Sequence, residues 1–143
     1  MTLSRKAKGR ITKLIKFMRS LPKSANRHFD MGYWFRHNGD HELEAHHVTA
    51  SMLRDCGTTA CVLGWACTIP SFRRKGLKMP VGLRSHQEIL RMGSEFFGLN
   101  YEQTKALFGF GEDGKSSGTS SATTPKQWAR TAKGLIAVWE AAP

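Results

Sequence analysis

CGTTACVLGWACTIP, residues 56–70, decides how this chain is read. From residue 60 to residue 69 it is apolar on every side and then meets Pro70, and a segment with no polar face has to be buried all round. Ala60, Gly64 and Ala66 are small enough to let neighbouring helices approach closely. The run is therefore expected to be a buried central helix over about 59–69. Gly57 would make the turn into it and Thr58 or Thr59 would cap it, leaving the free N–H groups of the first turn as an anion site. The plainer alternative is that threonine only caps the helix and that Cys61 and Cys67 are small buried hydrophobes.

The segments on either side fit helices that would pack on that core. Leu3, Ala7, Ile11, Leu14, Ile15 and Met18 fall on one side of a helical wheel, with basic residues over most of the other, so residues 1–22 read as a basic amphipathic helix stopped by Leu21 and Pro22. Residues 85–98 carry Ser85 and Glu88 as a capping box, Ile89, Gly93, Phe96 and Phe97 at helical spacing, and Gly98 as terminator. Asn100 with Gln103 opens a short helix, YEQTKALF. Thr124, Pro125 and Gln127 open the last one, with Trp128, Ala132, Leu135, Ile136 and Trp139 as its apolar stripe. The expected fold is all-α, a single compact domain over 1–143, with a flexible Gly/Ser loop at 111–123.

Within that loop region, GFGEDGKS at 109–116 fits the phosphate-loop pattern GxxxxGK[ST] at every fixed position. Its chemistry needs a buried strand before it and a helix beginning inside it. Here the preceding residues read as helix, and SGTSSATTP after Ser116 cannot begin one. At 143 residues the chain is also short for a nucleotide-hydrolysing sheet with its crossover helices. No triphosphate chemistry is expected from Lys115 and Ser116.

Charge points to the class of partner. The chain has 22 Lys and Arg against 11 Asp and Glu, a net +11, which favours anionic partners. Arg5, Lys6, Lys8, Arg10, Lys13, Lys16, Arg19, Lys23 and Arg27 all precede the first acid, Asp30, so one basic face is expected. Three cysteines without paired spacing do not describe a secreted disulfide framework. The first twenty residues are too broken by charge for a signal peptide, and no run reaches the roughly 18 apolar residues of a membrane span, so a cytoplasmic setting is expected.

Residues 27–48 are rich in aromatics and histidine and hold the turn signal Asn38-Gly39. Two catalytic or metal readings arise where they meet the cysteines. Cys56 near a helix start, with His46 or His47 as base, would be a candidate nucleophile. Cys56, Cys61 and histidines from His37, His41, His46 and His47 would be candidate metal ligands, although CxxxxC is not the usual knuckle spacing; no metal or cofactor is assigned.

Phe29, Asp30, Met31, Gly32 and Trp34, followed by Cys56, Gly57, Thr58, Cys61, Gly64, Trp65 and Ala66, form a pattern that resembles a group of small uncharacterised phage and bacterial proteins with a CGTxxCxxGWA motif. The likeness covers about a third of the chain. It implies a compact helical domain and a phage or mobile-element setting, with no catalytic assignment.

Together these readings favour a non-enzymatic binder of a phosphate-bearing ligand, such as a nucleotide signal held to counter a host defence protein or complex. Lys6, Lys13 and Lys16 would supply charge, Gly57, Thr58 and Thr59 the N–H contacts, and Tyr33, Trp34 or Trp65 a stacking surface. The alternatives are a DNA- or RNA-binding accessory protein, for which no helix-turn-helix signature is present, and a Cys/His enzyme.

Overall fold

The first helix, α1 (Arg5–Ser20), starts where the Ser4 hydroxyl accepts the Ala7 N–H at 3.0 Å and stops where Leu21 turns extended ahead of Pro22. Its apolar stripe is fully covered, with Ala7, Ile11, Leu14 and Met18 at 0% exposure. A 3-10 turn, Lys23–His28, follows. The computed structural model describes residues 2–29, 31, 35–37, 58–77, 86–109, 119 and 122–142. The remaining elements in chain order are β1 (Phe35–His37), β2 (Thr58–Ala60), α2 (Val62–Ala66), α3 (Pro70–Arg74), α4 (His86–Phe97), α5 (Tyr101–Phe108) and α6 (Pro125–Ala141).

The fold is all-α around one hydrophobic core, and among the described residues the extended part is one antiparallel ribbon pairing Phe35 with Ala60 and His37 with Thr58. That ribbon corrects the reading of the central run. Residues 61–69 are all buried, as expected, but they are not one helix. Thr58 and Thr59 lie in β2, Cys61 is the N-cap of the five-residue α2 without a side-chain cap bond, and a new helix begins at Pro70. The physical reasons are local. Two adjacent β-branched threonines suit an extended strand. Proline lacks the N–H that a continuing helix needs but fits the first position of a new one, and it holds Ile69 before it extended. An apolar run of this length has no periodicity to tell strand from helix.

The later helices start and stop where the sequence says. Asn100 and Gln103 form a reciprocal capping box on α5, and the Thr124 hydroxyl accepts the Gln127 N–H at 3.1 Å at the start of α6. Gly98 ends α4 at φ +70, a left-handed conformation that favours glycine. The Ser85 cap lies outside the described residues. Gly93 is where α4 comes closest to its neighbours: a Cβ there would sit 3.2 Å from Leu63 Cδ2 of α2 and 3.5 Å from Phe108 Cδ2 of α5. Within the expected loop at 111–123, Thr119 is buried, with its hydroxyl donating to the Leu107 carbonyl at 2.6 Å, and Thr123 is hydrogen-bonded to Gln127, so these two residues are anchored rather than free.

A line of rings runs through the core and fixes α6. Phe72 of α3 meets Phe97 of α4 edge-on at 5.7 Å, Phe97 meets Phe108 of α5 at 5.1 Å, and Phe108 stacks with Trp128 of α6 at 6.3 Å. The Trp128 indole N–H donates to the Leu107 carbonyl at 2.9 Å. Trp128 and Ala132 therefore define the inward face of α6, and the 3.6-residue period turns Lys126, Arg130 and Lys133 to a different face.

Candidate anion-binding site

Helices α1 and α6 lie side by side and antiparallel, as their two ends show. At one end the Glu140 carboxylate accepts the Leu3 N–H at 3.1 Å and the Lys8 ammonium at 3.0 Å, joining the start of α1 to the end of α6. At the other end Arg19, in the last turn of α1, faces Lys126, Arg130 and Lys133 of α6 across a cleft of about 420 Å³ floored by Ala129. Four cations thus line one open cleft. Lys126, Arg130 and Lys133 follow one another at four- and three-residue steps, so they stand in a row along one helix face.

The electrostatics of the two ends differ. Glu140 has its pKa lowered by the Lys8 hydrogen bond first and the Leu3 N–H second, so its charge is satisfied locally. Around the cleft no carboxylate among the described residues ion-pairs with any of the four cations; the Lys8–Glu140 ion pair lies at the opposite end of the seam. Arg19 sits ten residues and more along α1 from Lys8, roughly 16 Å of helix, which exceeds the about 8 Å screening length at physiological salt. The first turn of α6 contains no acid, and Lys126 stands beside the positive end of the helix dipole. This is an arrangement an anion would stabilise, from Arg forks and Lys ammoniums that bind phosphate oxygens through charge-assisted hydrogen bonds.

The residues singled out from sequence are not gathered there. Lys6, Lys13 and Lys16 are exposed on α1, as expected, but none of them lines the cleft. Lys13 instead lies 5.9 Å over the Phe72 ring, and its neighbour Arg10 covers Phe96 at 4.1 Å while donating to the Phe96 carbonyl at the end of α4. Charge on that flank of α1 helps hold the fold. Thr58 and Thr59 belong to a strand, so the helix start that would have carried N–H contacts is absent, and α2, with five residues, is too short to replace it. Trp65 is fully buried with its indole N–H donating to the His28 carbonyl at 3.1 Å, which removes it as a stacking surface. Tyr33, Trp34, Cys56, Gly57, His46 and His47 lie outside the described residues.

Two further sequence readings meet the structure here. The residues before Gly109 are the helix α5, so the buried strand that a phosphate loop needs ahead of it is replaced by helix; residues 110–116 lie outside the described residues. Cys61 and Cys67 are both buried, and burial above all, with Cys61 adding to it, pushes the Cys67 thiol well up against a smaller opposing pull from Arg73. A thiol held protonated in this way is a poor nucleophile.

Sequence reasoning missed Arg19, Lys126, Arg130 and Lys133 as a group. The signal was present in part: three cations at helical spacing on the polar face of the last helix, with no acid in its first turn. What joins them to Arg19 is the antiparallel packing of two elements more than a hundred residues apart, which no local pattern reports. No family model, no curated protein and no solved structure matches this chain.

Proposed function

We propose that this protein acts by binding a phosphate-bearing anion, without turning it over, at the cleft between the C-terminal end of α1 and the N-terminal half of α6. The observation that supports this reading most is the meeting of Arg19, Lys126, Arg130 and Lys133 at one cleft with no carboxylate among the described residues to neutralise them. A solvated basic surface would scatter its charges or interleave them with acids. The net charge of +11 adds long-range attraction for an anionic partner. Holding a nucleotide signal, the role that goes with the resemblance to phage proteins, is one use of such a site.

The test is a thermal-shift and calorimetric titration with pyrophosphate, triphosphate, nucleoside triphosphates and cyclic dinucleotides, run on the parent and on K126Q/R130Q/K133Q. Saturable stabilisation of the parent that the variant loses is the expected result. Equal stabilisation of both proteins, or of neither by any phosphate-bearing probe including nucleic acid, would overturn the assignment.

A further inference from the structure

Resting on that reading of the cleft, we infer that its ligand class is the phosphodiester backbone of a nucleic acid, contacted without regard to sequence. The shape of the charge array favours a line of phosphates over a single compact anion. From Lys126 through Arg130 to Lys133 is seven residue steps along α6, about 10 Å at 1.5 Å per step, with Arg19 facing them from α1. Along one strand of a duplex, charges recur about every 3.4 Å of axis, so that length of helix runs past roughly three phosphates.

The composition of the lining agrees. A small-molecule site is mostly apolar and aromatic with a few polar groups, whereas among the described residues that line this cleft four are cations and the fifth is Ala129. Among the described residues no ring lines it: Trp128, on the opposite side of α6, is fully buried against Phe108. The described lining therefore grips phosphates without a ring to stack a base, which is the chemistry of backbone positioning rather than base readout. An anionic membrane would want the same charges together with an apolar face to insert, and the apolar face of α1 is closed, with Ala7, Ile11, Leu14 and Met18 at 0% exposure. The observations thus favour nucleic acid over a lipid surface.

Fluorescence anisotropy with a labelled short duplex and a labelled single strand, each in two unrelated sequences, between about 50 and 200 mM salt, tests the inference. Four phosphate contacts predict a slope of log affinity on log salt of about −3.6 for the duplex and about −2.8 for the single strand, with the two sequences bound alike. K126Q/R130Q/K133Q should flatten the slope by roughly one per residue removed. K6Q/R74Q/K75Q, which removes the same charge from exposed positions outside the cleft lining, should change it much less, with circular dichroism as the check that both variants fold.

If pyrophosphate or a nucleotide binds in a manner the cleft variant abolishes while duplex and strand do not bind, the anion site stands and the nucleic-acid inference is overturned. If no phosphate-bearing probe binds, both fall. Equal flattening by the two triple variants would overturn the cleft as the contact. Tighter binding to phosphatidylserine vesicles than to either nucleic acid would overturn the ligand class.

Discussion

The two ends of the α1–α6 seam are built from the same kinds of residue and resolve their charge in opposite ways. Where α1 starts and α6 ends, one carboxylate, Glu140, takes up a lysine and a backbone N–H, leaving no demand on anything outside the chain. Where α1 ends and α6 starts, four cations share a cleft, and the positive end of α6 adds to the repulsion on Lys126. The first end fastens two helices; the second leaves charge available for a ligand. An acid in the first turn of α6 would stabilise that helix, and none is present. The cationic cluster beside that turn is why the second end is the one we propose to bind a ligand.

The largest expected effect separates holding the cleft from forming it. Trp128→Ala, which removes a fully buried ring and its hydrogen bond to Leu107, should destabilise the protein by about 3–5 kcal/mol in urea unfolding and reduce binding only as far as α6 is lost. Next comes K126E/R130E/K133E, expected to weaken duplex binding at about 50 mM salt by at least a hundredfold while circular dichroism stays unchanged; retained affinity would place the contact elsewhere. Gly93→Leu puts a large side chain where a Cβ alone would already sit 3.2 Å from Leu63 and 3.5 Å from Phe108, and should lower stability by about 1–3 kcal/mol without touching the salt slope, because that contact lies in the core.

Glu140→Gln gives the smallest effect, and its sign follows from the lowered pKa. A carboxyl whose pKa is depressed on folding stabilises the native state above its unfolded value, and that contribution is lost as pH falls through the lower folded value. The parent should therefore melt slightly higher than the variant near neutrality, with the difference vanishing in acid below the ordinary glutamate range. Nucleic-acid affinity at neutral pH should be unaffected, because Glu140 stands at the far end of the seam.

Much of the helical framework was legible in the sequence because its punctuation is local. Leu21 ahead of Pro22, Asn100 with Gln103, Thr124 ahead of Pro125, and Gly98 each mark an end that short-range hydrogen bonding, proline or backbone freedom fixes. The run at 61–69 was legible in burial, but the conformation of 58–69 was not, since an apolar stretch hides its period and strand pairing with Phe35–His37 depends on residues far away. The candidate site was the least legible. The basic bias of α1 drew notice to Lys6, Lys13 and Lys16, yet Arg10 and Lys13 are engaged with aromatic rings, and the cleft borrows only Arg19 from that helix. Its other cations come from the far end of the chain.

The central claim is that the cationic end of the seam is kept for a ligand at some expense to the free protein. Thermal unfolding of Lys126→Glu, with and without a saturating short duplex, measures both halves at once. An acid at the second position of α6 replaces repulsion with a favourable dipole interaction, about 0.3–1 kcal/mol at an exposed helix end, so the free variant should melt higher than the parent. The duplex should raise the melting temperature of the parent, through linkage, and raise that of the variant much less. A variant that melts lower than the parent, or that gains as much from the duplex, would contradict the account.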